Sequence, residues 1–174
     1  NFRKKLWSSE EACRVMGTLM RYVDVCIANE EDAEKVFGIK AEGTDVTGGK
    51  LNHDGYVSVA RQLKERFGFK YVAVTLRTSI SASDNKWAAM LSAENDTYFS
   101  KQYDVRIVDR VGGGDSFGAG LIYGLYSGMK DKDALEFAVA ASCLKHSIEG
   151  DFNRVSVDEV KTLAEGDGSG RVQR

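Results

Sequence analysis

Two periods of apolar and polar residues alternate along this chain, and the switches between them outline helices and strands. In "SSEEACRVMGTLMRYV" (8–23), Ala12, Met16, Leu19 and Val23 recur at helical spacing with Cys13 and Met20 beside them. Ser8 or Ser9, followed by Glu11, gives that helix a capped start. "DVCIA" (24–28) is a short apolar run suited to a buried strand. "NEEDAEKVFG" (29–38) predicts a short helix with acids in its first turn and Gly38 at its end. Residues 40–53, with Gly48 and Gly49, read as a loop by composition. "DGYVSVARQLKERFG" (54–68) predicts a second amphipathic helix, with Tyr56, Ala60, Leu63 and Phe67 on one face and Gly68 as its stop. "YVAVTL" (71–76) is the clearest buried strand. Residues 79–100 alternate weakly, as one or two short strands or a hairpin, and 102–109 predict another strand. Phe117, Leu121 and Leu125 mark a helix after the glycines at 112–114. Residues 131–148 form a longer helix, and 156–164 a last one with Ser156 and Glu159 at capping-box spacing. "EGDGSGRVQR" (165–174) is a polar, frayed tail. Strands alternating with helices imply an α/β fold with a mainly parallel sheet and ligands at the carboxyl ends of its strands.

Composition refines this only slightly. The 174 residues suffice for one domain with a core, being 43% hydrophobic and 29% charged. A net charge of -2 with interspersed signs argues against a nucleic-acid surface. No apolar run approaches the roughly 20 residues needed to span a bilayer, and no signal-peptide pattern opens the sequence. Neither nucleic acid nor membrane is therefore an expected partner. Cys13, Cys26 and Cys143 are widely spaced and form no CxxC pair, which predicts buried free thiols in a cytoplasmic protein. His53 and His146 are isolated and show no metal-ligand spacing. Proline is absent, and the opening "NFRKKLW" reads as the interior of a longer sequence.

The candidate chemistry lies in "VGGGDSFGAG" (111–120), at the end of a strand and the start of a helix. Glycines there allow positive φ and close approach of a ligand, while successive N–H groups and the helix dipole favour an anion. A phosphoryl group is the expected guest. Two familiar phosphate loops are excluded: no lysine stands where G-x-x-x-x-G-K-[ST] requires it, and Phe117 breaks G-x-G-x-x-G. Asp115 opens the helix as a good N-cap, or it accepts the proton of an attacking hydroxyl. The two roles are compatible.

"VDRVGGGDSFGAGLIYGL" (108–125) closely resembles the signature of the PfkB (ribokinase-like) carbohydrate kinases, D-T-x-G-A-G-D-x-F. Asp109, Gly112, Gly114, Asp115 and Phe117 match it; Arg110 replaces the common threonine and Gly113 the common alanine. "NEED" (29–32) resembles the family's N-x-x-E element with Asp32 in place of the glutamate, and "VAVTLR" (72–77) resembles the strand that reaches ATP. "NFRKKLW", "NEEDAEKVFGI", "VTLR" and "IEGDFNRVSVDEV" look more narrowly like 2-keto-3-deoxygluconate kinases. The resemblance implies a ribokinase-like three-layer sandwich, of which residues 1–174 are the C-terminal part, without the N-terminal half and β lid. It implies ATP-dependent phosphorylation of a sugar acid, with 2-keto-3-deoxygluconate giving its 6-phosphate.

The same resemblance assigns roles. Asp115 is the base that also meets the substrate hydroxyl, and the amides of Gly112, Gly113, Gly114 and Asp115 form an anion hole. Asn29 and Asp32 act on Mg²⁺ through water, and Asp109 borders a monovalent-cation (K⁺) site. Thr75 and Arg77 lie along the nucleotide, with Lys145 and His146 near the adenine. Arg3 takes the substrate carboxylate. The partners implied are the sugar acid and ATP, with homo-oligomeric contacts through the lid of the whole kinase. Each role has a plainer rival: Asn29 as a helix cap, Thr75 as a strand residue, Arg77 as a surface charge, Lys145 and His146 as a solvated helix face, Arg3 paired with a nearby acid. Trp7 and Trp87 read as packing residues. Two other functions stand beside the first: a ribokinase or fructokinase type of sugar kinase, and a non-catalytic nucleotide-binding fragment that needs its missing half.

Overall fold

Three helices among the described residues begin where the sequence supplies a capping side chain. In the computed structural model, which describes residues 2–39 and 53–166, α1 spans Ser9–Leu19 with the Ser8 hydroxyl accepting the Glu11 N–H at 3.1 Å. A 3₁₀ turn (Met20–Tyr22) leads into β1 (Val25–Asn29) and α2 (Glu30–Phe37). Helix α2 starts with a reciprocal capping box between Asn29 and Asp32 and ends at Gly38, whose φ of 69° is left-handed. Then come α3 (His53–Phe67), β2 (Tyr71–Ser79), β3 (Asp84–Ser92), β4 (Thr97–Phe99) and β5 (Tyr103–Arg106). The chain continues with α4 (Gly113–Tyr126), α5 (Asp131–Lys145) and α6 (Val157–Glu165), the last opened by the Ser156–Glu159 box. The loop expected at 40–53, with Gly48 and Gly49, lies outside the described residues except for His53, as does the tail from residue 167.

The strand order is β1-β2-β3-β4, with β5 also pairing with β3. β1 and β2 are parallel, in register from Val25↔Tyr71 to Asn29↔Thr75. β3 and β5 are antiparallel, from Asp84↔Arg106 to Trp87↔Tyr103. The weak alternation over 79–100 has a physical cause: β3 is nine residues long and buried from Trp87 through Ser92, so both of its faces are covered. β5 is shorter than the expected 102–109. The N–H groups of Val108 and Asp109 turn to the His146 carbonyl instead of extending a ladder.

The chain divides into two compact units, residues 1–76 with 90–97 and residues 77–89 with 98–174. The first unit buries Ala12, Val36, Val59, Ala60, Leu63, Val72 and Val74. The second is built on α4 against α5. A Cβ placed on Gly120 would lie 2.9 Å from the Ala138 Cα, and one on Gly124 would lie 2.8 Å from the Ala134 Cβ. The two helices therefore meet almost backbone to backbone. Helix α6 is tied to the same unit by Lys101, whose ammonium donates to the carbonyls of Ala164 and Gly166 at 2.6 and 2.7 Å. The Lys101 N–H donates in turn to the buried Glu136 carboxylate. Among the described residues no helix is long and apolar enough to cross a membrane.

Candidate phosphoryl-transfer site

The site in the second unit is the turn from Asp109 to Ser116. Asp109 anchors it: one carboxylate oxygen accepts the Val111 N–H and the other the Gly150 N–H, both at 2.9 Å. These two bonds, Val111's first, hold the Asp109 carboxyl below its ordinary value. Gly112 is the helix N-cap at φ 80°, in the left-handed region. A Cβ there would stand 2.1 Å from the Asp151 carbonyl oxygen, so glycine is demanded by backbone conformation and by a neighbouring loop together.

Gly113, Gly114 and Asp115 occupy the first three positions of α4. The N-cap role weighed for Asp115 therefore falls to Gly112, because the helix begins two residues earlier than Asp115. Among the described residues the exposed Asp115 carboxylate has no hydrogen bond or ion pair. The Gly113 N–H is turned to the Arg110 carbonyl at 3.3 Å, and the Ser116 N–H to the Gly112 carbonyl at 2.8 Å. The N–H groups of Gly112, Gly114 and Asp115 have no acceptor in the described structure. Three donors, a helix N-terminus and a free carboxylate thus share one turn. Nothing would lie within 4 Å of a Cβ on Gly114, so its outer face is open to a guest.

The turn is underpinned by residues 142–153. The Ser142 hydroxyl donates to the Gly113 carbonyl at 2.8 Å, and the Ser116 hydroxyl to the Ala141 carbonyl at 3.0 Å. Asn153 donates to both the Ser116 hydroxyl and the Ala141 carbonyl. Lys145 and His146 are buried, at 0% and 5% exposure, which overturns the solvated-face alternative. Lys145 donates to the Ile148 carbonyl at 3.0 Å. The His146 Nδ1 lies 2.7 Å from the Ser142 carbonyl, which can only accept, so Nδ1 carries the proton. Its ring packs on Trp87 at 4.9 Å between centroids. Burial holds His146 below its ordinary value, so the imidazole is neutral at pH 7. Arg77 lies in this second unit, exposed, and its side chain has no hydrogen bond or ion pair among the described residues.

The first unit carries the other expected residues. Asn29, at the carboxyl end of β1, faces Thr75 across the ladder. The Asn29 side chain accepts the Asp32 N–H at 2.9 Å, and the Asp32 carboxylate accepts the N–H groups of Asn29 and Phe2, each at 3.3 Å. The plainer reading of Asn29 as a cap is therefore correct as structure. Arg3 is exposed and its guanidinium is unpaired among the described residues, so its rival reading as half of an ion pair is not met. No group of three or more His, Cys, Asp or Glu side chains is clustered as a metal cage among the described residues. An apolar hollow of about 240 Å³ beside β1 is lined by Trp7, Met16, Met20, Cys26, Val36 and Leu63, among others.

The chain is similar to known proteins in sequence and in fold. The pattern of the pfkB family carbohydrate kinases matches residues 1–153. A 2-dehydro-3-deoxygluconokinase of Thermotoga maritima is 49% identical, with a TM-score of 0.89 over 95% of this chain and 48% of that one. A PfkB family carbohydrate kinase of Listeria grayi is 34% identical, with a TM-score of 0.80 over 94% of this chain and 48% of that one. A 2-dehydro-3-deoxygalactonokinase of Haloferax volcanii is 26% identical over 98% of this chain and 47% of its own length. The chain thus spans about half the length of the relatives it matches. With the signature turn, its free carboxylate and the match over 153 residues in hand, the chain belongs to the pfkB family of carbohydrate kinases.

Proposed function

We propose that this chain is the C-terminal part of a sugar-acid kinase that transfers the γ-phosphoryl group of ATP to 2-keto-3-deoxygluconate, giving the 6-phosphate. One observation carries the reading: a carboxylate with no structural partner, at Asp115, beside N–H groups with no acceptor. A carboxylate kept only for capping would be bonded to its own helix, as Asp32 is. The substrate hydroxyl oxygen attacks the γ-phosphorus while Asp115 takes its proton. The bond from that phosphorus to the bridging oxygen breaks, and the electron pair leaves with ADP. The N–H groups of Gly112, Gly114 and Asp115 meet the charge on the transferring group. The Gly113 N–H, already bonded to Arg110, lends the turn its shape instead.

Mg²⁺ would neutralise phosphate charge. It is commonly held by one or two carboxylates, waters and substrate phosphates, a set that Asn29 and Asp32 fit through water without a protein cage. Asp109 fits the edge of a K⁺ site: each of its oxygens accepts one backbone N–H, as each oxygen of Asp32 does, and keeps a lone pair for a cation. Thr75 and Arg77 run along the nucleotide, and the unpaired Arg3 takes the sugar-acid carboxylate. Lys145 and His146, being buried, serve the turn beneath the nucleotide and do not reach the adenine with their side chains. Cytoplasmic placement and assembly through the lid complete the proposal.

The test is ATP-dependent phosphorylation by the whole kinase across 2-keto-3-deoxygluconate, 2-keto-3-deoxygalactonate, ribose and fructose. Preference for the first supports the proposal, whereas preference for a neutral sugar moves the function to a ribokinase or fructokinase type. Asp115→Asn should abolish transfer and leave ATP binding nearly intact, because it keeps the shape and removes the proton acceptor. Surviving transfer would remove Asp115 from its role.

A further inference from the structure

We infer that the His146 imidazole and Gly113 form one interlocked pair in which His146 acts as a positioning residue for the anion-binding turn. The inference deepens the kinase reading and rests on it. A Cβ built on Gly113 would stand 2.8 Å from both Cε1 and Nε2 of His146. The ring therefore fills the volume that a methyl group at 113 would need. Gly113 is the position where the family signature writes alanine, and this chain has placed a histidine ring in that alanine's space.

The ring cannot swing aside cheaply. Its Nδ1–H is bonded to the Ser142 carbonyl at 2.7 Å, it packs against Trp87 with the two rings tilted at 59°, and it is almost wholly buried. The same residue grips the turn a second way. Its backbone carbonyl accepts the N–H groups of Val108 at 2.8 Å and Asp109 at 3.3 Å, where the signature begins. Ser142, which holds the ring, also donates to the Gly113 carbonyl. His146 thus fixes the entry to the turn through its backbone and the floor of the turn through its ring. Gly114 and Asp115, the donors proposed to meet the phosphoryl group, follow directly. A misplacement of about 1 Å at such a site can cost on the order of a hundredfold in rate.

The experiment is a double-mutant cycle of Gly113→Ala and His146→Ala in the whole kinase, read by kcat, by KM for ATP and by thermal midpoint. Gly113→Ala alone is expected to lower kcat at least tenfold with KM for ATP within about threefold, since the turn still holds ground-state phosphate. In the His146→Ala background the added methyl should cost nothing further, because the ring that opposed it is gone. Two losses that simply multiply would overturn the pairing. Single variants that lose thermal stability but keep full kcat would overturn the positioning role, leaving His146 as packing. His146→Phe keeps the ring and discards the Ser142 bond, so it should retain more activity than His146→Ala; the reverse order would also count against the inference. A wild-type protein with no transfer activity would refute the kinase reading, and the thermal-midpoint cycle would still decide the pairing.

Discussion

Gly112 and Gly114 stand two residues apart, and the structure assigns them opposite responses to the same substitution. In Gly112→Ala the new methyl meets two costs. A non-glycine residue in the left-handed region loses about 1–2 kcal/mol. A carbon and a carbonyl oxygen rarely approach within about 3.3 Å, so the 2.1 Å gap to the Asp151 oxygen forces a shift of the 148–151 loop or of the turn. Overpacking of that kind costs about 1–3 kcal/mol, and together the two give about 2–5 kcal/mol. At about 2–4 °C per kcal/mol for a chain of this size, the thermal midpoint should fall by about 4–20 °C. Gly114→Ala meets no atom within 4 Å and sits in the first turn of α4, where alanine gains up to about 1 kcal/mol over glycine. Its midpoint should stay or rise. Circular dichroism melts of the two variants beside wild type decide the matter. A Gly112→Ala midpoint within 2 °C of wild type, a margin set at about half a kcal/mol, would refute the account, as would an equal loss in Gly114→Ala.

Three further outcomes are expected. His146 is held below its ordinary value in the folded state, so as pH falls below about 6.5 the unfolded chain binds the proton first. Its contribution is complete above that pH and lost as pH drops through the folded value; midpoints measured from pH 8 to 5 should fall on the acid side, and His146→Gln should flatten that fall. Burial pushes the Cys26 thiol up to about 11 and the Cys143 thiol up to about 12, so both should resist iodoacetamide at pH 8 in the native protein and react on denaturation, as peptide mass mapping would show. Arg3→Ala should lower kcat/KM for a sugar acid by about tenfold or more while sparing a neutral sugar; an equal loss on both would remove Arg3 from carboxylate recognition.

Local rules explain why so much of the fold was legible. The caps at Ser8, Asn29 and Ser156 each involve partners three residues apart, so a reader of the sequence can see both halves. Strand β1 and the first part of β2, residues 71–76, are mostly apolar runs, and β2 goes on through polar residues to Ser79, which the apolar pattern does not mark. The signature turn stood out in the sequence because glycine spacing and a helix start are also local. What escaped depends on distant partners. His146 meets Gly113 across more than thirty residues, and no spacing rule joins them. The polar residues Lys145 and His146 suggest a solvated face on α5, whereas both are buried, as are Ala134 through Ser142. The run "ALEFAVAASCL" is apolar nearly all round, the one signal that pointed to a fully enclosed helix. The stop of β5 at Arg106 likewise depends on the His146 carbonyl, far ahead in the chain. Two of the three glycines are explained by packing inside the protein, at Asp151 and His146, and only Gly114 by openness toward a guest.

The meeting of Gly120 and Gly124 with Ala138 and Ala134 has a consequence for how this protein can change over time. Where helices are separated by large side chains, a substitution on one can be answered by a rotamer or a smaller residue on the other. Here little side chain is left to give way, and the partners are already near the smallest available. Drift at these positions is therefore one-sided: any enlargement pushes α4 bodily, and with it the turn two helical turns upstream of Gly120. The seam works as a fixed gauge block, and the position of the signature turn is inherited from residues that lie outside it.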